Sequence, residues 1–484
     1  MKFTPIVVSA SLLVAFTFAF SNAAETPKSD YVVVVSKATK SDDSWNRVVE
    51  KLLAKHKNLN AQTIVYEKSL NEVAEPLKKI MPRFVCFVAK PEEAPREYVE
   101  QIHKLTRELD DDIYIDVFWG IITGYDAAAA LRTAEHDQPL LIRRAAASVA
   151  FDLSGFESGK HWNDSVKNQL VIKKVGDKGA VETKGPDDPT SQIVDMFNNE
   201  APDLWITSGH ATEHDWIIGY NYRAGKFVHK DGILIGQTLA GEKLPINSPN
   251  PKVYMAVGNC LMGHVDRADC MATSYFNSAG VVQMLGYTVE TWFGFAGWGV
   301  NEYFLAQPGR YTFNEAFFAN QAALDWCIAE YMKANPNFNP ETQTSITQAN
   351  RDIMGLLYDR YTIAFYGDPA WEAKTNDAYL AWEQKLETEP VNGSDSKVRL
   401  TLVVSPNEKI DAASITGESA PWKAPRPIVQ WFPKRFTNVK LTDGADSNPV
   451  ITDNFILVPR PSDGTVPTVR IVLEADAALP DNTI

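Results

Sequence analysis

At 484 residues the chain is longer than one typical domain, and two or three are expected. Hydrophobic residues make up 45% and charged residues 22%, which excludes a disordered chain and allows a sizeable core. A formal net charge of −14 and a sequence pI near 5.2 exclude the basic footprint of a nucleic-acid binder; the acidity reads as solubility.

The first residues carry Lys2, then the apolar run "IVVSASLLVAFTFAF" from Ile6 to Phe20, then small residues ending at Ala23 and Ala24. This layout predicts a secretory signal peptide over 1–23, and with it a secreted, periplasmic or cell-surface protein. The run is short for a bilayer span of about 20 residues, and no later segment is long and apolar enough, so no membrane span is expected in the mature chain.

Residues 30–150 alternate strand and helix patterns. Strands are expected at Tyr31–Val35, Gln62–Glu67, Arg83–Ala89 and Ile113–Ile122. Helices are expected around Trp45–Leu53, Leu70–Ile80 and Pro95–Leu109, and another is opened by Asp126 as N-cap. Such alternation predicts a parallel sheet. The stretch 152–188 is rich in Gly, Pro and Asp and reads as loop. Across 151–376 the pattern resumes: a helix from Thr190 to Asn199, buried strands at Leu204–Ser208, Val253–Gly258 and Gly280–Tyr287, and helices at 313–333 and 349–360. "YTIAFYGDPA" then closes on Gly367-Asp368-Pro369. Residues 377–396 read as a linker, and 397–484 as an all-β domain of sandwich type.

Two apolar strands end in reactive side chains. "LWITS" runs into Gly209-His210, and "VYMAVG" into Asn259-Cys260. If these strands are parallel, both groups reach the rim where open α/β sheets place their sites. A thiol beside an imidazole can be activated as a nucleophile. The backbone N–H groups of Cys260 and Ala211 are candidates for an oxyanion site. The other three cysteines, Cys86, Cys270 and Cys327, read as packing residues; four scattered cysteines do not make a disulfide framework, although one pair can bridge. Asp215 is a candidate to orient the imidazole, while His214 and His264 read as neighbours of the motifs.

A competing reading takes His210, Glu213 and His214 as an H-x-x-E-H zinc motif, which needs a helix to bring both imidazoles to one metal. The run Trp216-Ile217-Ile218-Gly219 is poor helical material, so this reading ranks below the cysteine one.

The ordered set of motifs resembles the gingipain family of caspase-like cysteine peptidases. It comprises "GHA", "NCLMG", the following "DCMATSYFNSAGVVQMLGYT", "FYGDPAW", and the earlier "DIYIDVFWGIITGYDAAAALR". The resemblance spans roughly residues 30–376. It implies a caspase-like α/β/α sandwich in two subdomains followed by an immunoglobulin-like domain. It also implies a Cys260–His210 dyad that cleaves proteins or peptides through an acyl-enzyme. A substrate pocket would lie along "YTVETWFGFAGWG", with Glu290, Trp292 and Trp298 as candidates. No organic cofactor is implied; structural calcium is, with no ligand set. Two departures stand out: Ala211 where the family reads glycine, and Asn259 where a small residue is usual. An inactive surface or binding protein that keeps the fold is the alternative.

Overall fold

A computed structural model of the chain describes residues 29–343, 345–394, 396–407 and 425–476; the expected signal peptide lies outside the described residues. The chain is mixed α/β, built on a large, mostly parallel central sheet. Its first four strands are β1 (Tyr31–Ser36), β2 (Gln62–Tyr66), β3 (Phe84–Val88) and β4 (Phe118–Ile122). β5 (Leu140–Ile142) stands outside, paired with Ala373–Thr375. Then follow β6 (Arg144–Ala147), β7 (Ser158–Trp162), β8 (Gln169–Lys173), β9 (Val181–Lys184) and β10 (Leu204–Thr207). β11 (Asp215–Ile217), β12 (Lys226–Lys230), β13 (Ile233–Gln237) and β14 (Lys243–Pro245) form a small antiparallel sheet. β15 (Lys252–Ala256), β16 (Val281–Tyr287) and β17 (Ile363–Tyr366) complete the large one. Its twelve strands run in the order β2-β1-β3-β4-β17-β16-β15-β10-β6-β7-β8-β9.

Two parallel blocks meet at one antiparallel seam, where Met284 faces Tyr366 and Tyr287 faces Ile363. Central strands such as "YVVVVS" and "KVYMA" are buried along their whole length, as expected when helices cover both faces of a sheet. The helix Ala127–Glu135 begins where the Asp126 carboxylate accepts the N–H of Ala129 at 2.8 Å. The helix Phe313–Ala334 begins with a capping box between Thr312 and Glu315.

Three expectations need correction. The strand expected from Ile113 is formed only over Phe118–Ile122. Before it, Asp110 and Asp112 accept the N–H groups of Asp112 and Tyr114 at 2.9 and 2.7 Å, local turns that compete with extended pairing. The stretch 152–188, expected as loop, holds β7, which pairs parallel with β6, and β8 and β9, which extend the sheet antiparallel to its edge. Edge strands need few apolar residues: β9, "VETK", is exposed throughout, so no buried run announces it. The segment expected as a linker contains the strand Trp382–Pro390, paired antiparallel with Lys397–Pro406 from Trp382↔Pro406 to Pro390↔Val398.

The strand Trp382–Pro390 is the edge of a four-stranded antiparallel sheet, which is accompanied by a three-stranded antiparallel sheet. Their buried side chains, among them Trp382, Leu402, Ile456 and Ile471, form one apolar cluster. The three-stranded sheet also faces the α/β part: Val429, Trp431, Phe455 and Leu457 join the main core, and Tyr303 Oη donates to the Pro427 carbonyl at 2.8 Å.

The Asp368 carboxylate of the Gly-Asp-Pro segment is fully buried. It accepts from His56 Nε2 at 2.6 Å and Tyr31 Oη at 2.9 Å, and pairs with Lys55 Nζ at 2.9 Å. Residues more than 300 positions apart are joined there. No helix among the described residues is long and apolar enough to cross a membrane.

Candidate active site

β10 and β15 are adjacent and parallel, with Thr207 opposite Ala256. The N–H of Val257 continues the ladder to the Thr207 carbonyl at 3.1 Å. Both chains leave the sheet at the same carboxyl edge, one toward His210 and the other toward Cys260. Gly209 has φ +96°, a left-handed turn suited to glycine. Asn259, fully buried, ties the two exits together. Its Nδ2 donates to the Gly209 carbonyl at 3.2 Å, and its Oδ1 accepts from Thr207 Oγ1 at 2.5 Å. The residue before His210 is therefore hydrogen-bonded to the residue before Cys260. Sequence reading marked Asn259 only as a departure from a pattern; its two partners lie fifty or more positions away, which no local signal reveals.

Cys260 is partly exposed, and the Thr291 N–H points at its Sγ at 3.3 Å. Thr291 Oγ1 also donates to the Asn259 carbonyl at 3.1 Å. Leu261, next in sequence, has φ +56°, a conformation that costs a leucine about 1–3 kcal/mol and persists only when its surroundings hold it. Those surroundings are the end of β16: Leu261 N–H donates to the Val289 carbonyl at 2.9 Å and Gly263 N–H to the Tyr287 carbonyl at 2.8 Å. A Cβ on Gly263 would sit 2.1 Å from the Gly286 carbonyl oxygen, so the loop after Cys260 needs glycine to lie this close.

All four cysteines are unpaired. Burial pushes the Cys86 and Cys270 thiols up, and Cys327 to about 11, away from the reactive thiolate. Cys260 differs from them in its place at the sheet edge and in the N–H aimed at its sulfur.

The His210 imidazole is exposed and stacks on Tyr220, with ring centroids 5.0 Å apart and planes 21° apart. No hydrogen bond joins it to the Cys260 sulfur among the described residues. Asp215, the expected orienting acid, is engaged elsewhere: it accepts from Thr212 Oγ1 at 2.9 Å and pairs with Lys226 Nζ at 3.1 Å. Residues 210–217 form a hairpin, with Ile217 N–H to the His210 carbonyl at 2.9 Å, Thr212 N–H to the Asp215 carbonyl at 2.8 Å, and Ala211 opposite Trp216. A hairpin is not the helix that H-x-x-E-H needs. The ligand atoms that converge are those of Glu213, His214 and Asp266, and His210 lies outside that group.

In this hairpin the bonds flank Ala211, and its own N–H is directed out of the pairing. Among the described residues neither the Ala211 N–H nor the Cys260 N–H is donated to a protein acceptor. Around the thiol, the Glu290 carbonyl accepts from Tyr358 Oη at 2.9 Å, and Trp292, 38% exposed, meets the Tyr358 ring edge-on at 6.0 Å. Glu290 itself is exposed. Trp298 packs beneath the strand ends: a Cβ on Gly258 would lie 2.8 Å from its Nε1 and 2.5 Å from Ser208 Oγ. His264 turns a buried Nδ1 inward with no partner among the described residues.

Models of known protein families and the curated proteins contain no match to this chain.

Replacing Asn259 with alanine removes the tie between the strand exits. The expected result is a loss of about 1–3 kcal/mol of stability in denaturant unfolding, together with slower alkylation of Cys260. Unchanged alkylation in the variant would show that Asn259 serves stability alone.

Proposed function

We propose that the chain is a cysteine endopeptidase of gingipain type, with Cys260 as nucleophile and His210 as base. The observation that carries this reading is the Asn259–Gly209 hydrogen bond, which seats imidazole and thiol one residue away on either side, at the ends of adjacent parallel strands. Cys260 Sγ attacks the scissile carbonyl carbon and its proton passes to His210. The oxyanion accepts from the Ala211 and Cys260 N–H groups. The C–N bond then breaks as His210 protonates the leaving amine, and water, deprotonated by His210, hydrolyses the thioester. The exposed imidazole must first turn from Tyr220 toward the sulfur; catalytic hydrogen bonds are commonly loose before substrate binds.

The segment from Glu290 to Trp292 supplies one pocket wall in this reading, held against the thiol through Thr291. The antiparallel sheets at the C-terminus form an immunoglobulin-like domain with a structural or adhesive role. Export through the N-terminal signal places the enzyme outside the cytoplasm.

The Tyr220 stack favours one second reading: a fold-preserving binding protein in which His210 never engages the thiol. A mixed peptide library, incubated with wild type and with Cys260→Ala, separates the two. Cleavage by wild type alone supports the peptidase, and no cleavage by either supports the binding protein.

A further inference from the structure

The same hairpin carries a second cluster that the dyad does not use. His229 on β12 has a side chain only 8% exposed, and its Nδ1 lies 2.9 Å from Asp269 Oδ1. Asp269 is fixed in turn by the N–H groups of Gly232 at 3.0 Å and Asp231 at 3.2 Å. Because a carboxylate only accepts, His229 Nδ1 is the donor and its Nε2 carries the lone pair. That lone pair faces His214 Nδ1 at 3.1 Å. The chain of bonds thus assigns the His214 proton to Nδ1 and leaves His214 Nε2 as an acceptor. His214 Nε2 stands 3.2 Å from Asp266 Oδ2, and with Glu213 these ligand atoms lie within 4.8 Å of one another. Two acceptors at such a distance are bridged by a proton, by a neighbouring side-chain cation or by a metal ion. The Arg267 guanidinium provides positive charge here, with Nη2 2.9 Å from His214 Nε2 and 3.2 Å from its Nδ1, and Nη1 3.8 Å from Asp266 Oδ2. Its side chain is 59% exposed, and swinging outward costs it one bond to the protein backbone, from Nε to the Asp269 carbonyl at 3.2 Å.

We propose that Glu213, His214 and Asp266 form a binding site for a divalent transition cation of the zinc class. One imidazole nitrogen with two carboxylates is a borderline donor set that zinc accepts at about 2.0–2.2 Å, with a further position left for water. His229 and Asp269 act behind it, holding the His214 tautomer as carboxylates and carbonyls hold metal-ligating histidines elsewhere. This ligand set is distinct from His210-Glu213-His214. Glu213 and His214 belong to the His210 hairpin, whereas Asp266 belongs to the loop that follows Cys260. A bound ion would therefore clamp the two segments that carry the reactive residues. The site stands independently of the peptidase reading, since it is read out by binding.

Zinc alone, titrated calorimetrically into full-length Cys260→Ala so that no reactive thiol competes, tests the site. One ion per chain is expected, with at least tenfold weaker binding in added His214→Ala or Asp266→Asn, and a loss of about 10–100-fold in His229→Ala. Arg267→Ala should bind several-fold more tightly, a gain that misfolding cannot produce. Zinc binding untouched by His214→Ala and Asp266→Asn, no zinc binding at all, or weaker binding in Arg267→Ala would overturn the proposal. So would calcium binding at these residues in preference to zinc.

Discussion

Replacing Cys260 with alanine is expected to abolish peptide-bond hydrolysis, lowering kcat by about 10³-fold or more, and His210→Ala is expected to do nearly the same. The two losses should not add. Once either member of a nucleophile–base pair is gone, the other has nothing left to do, so the double variant should match the worse single one. The measurement is turnover of the best library peptide by the three variants and by wild type, with folding checked by circular dichroism. Multiplicative losses would show that the two side chains do not act on one bond. A Cys327→Ala control should keep full activity, because burial holds that thiol protonated with a pKa of about 11.

The second large effect concerns stability. Asp368→Ala should cost about 3–5 kcal/mol, the usual penalty for breaking a buried ion pair and leaving its partners uncompensated. His56, Lys55 and Tyr31 would all lose their common acceptor in a buried site. The contrast is Glu67→Ala. Its pair with Lys37 is 3.0 Å long, but both side chains are more than 60% exposed, so the change should cost less than about 1 kcal/mol. Denaturant midpoints of the two variants decide the matter.

The pH dependence of that tie follows from its chemistry. Burial alone would raise the Asp368 pKa, yet the hydrogen bond from His56 and the charge of Lys55 hold it well below the usual carboxylate range. A carboxylate depressed in the folded state contributes fully above its unfolded pKa of about 3.9, and its contribution falls away as pH drops through the folded value. The part of the stability difference between wild type and Asp368→Asn that comes from the carboxylate's own titration should therefore be fully present above about pH 5 and shrink only in stronger acid.

The sequence displays the two decisive strands because they are buried on both faces. "LWI" and "VYMAV" are unbroken apolar runs, and a run that soon meets Gly-His or Asn-Cys marks a sheet edge. Parallel pairing of the two strands, the condition for a shared edge, is met in the register, Leu204 to Thr207 against Val253 to Ala256. Whatever depends on a distant partner is hidden. Asn259 looks like an intrusion until Thr207 and Gly209 appear beside it. His229 looks like a surface residue on a polar strand until Asp269, 40 positions on, closes upon it. Edge strands fail for another reason: "VETK" is in water on both faces, and "WEQKLETEP" alternates with Glu and Lys but offers only Trp382 and Leu386 as apolar members, too few to stand out from a linker. The H-x-x-E-H reading failed on local geometry. Gly209 turns the chain, and residues 210–217 double back on themselves instead of winding into a helix.

The central claim is that an imidazole and a thiol, delivered by neighbouring strand ends, work on one another. Its most direct test is the rate at which a small alkylating reagent modifies each cysteine, resolved by mass spectrometry in wild type and in His210→Ala. Cys260 should react at least tenfold faster than Cys86, Cys270 or Cys327 in wild type, and most of that advantage should vanish without His210. A Cys260 that reacts no faster than Cys327, or whose rate is indifferent to His210, would contradict the account.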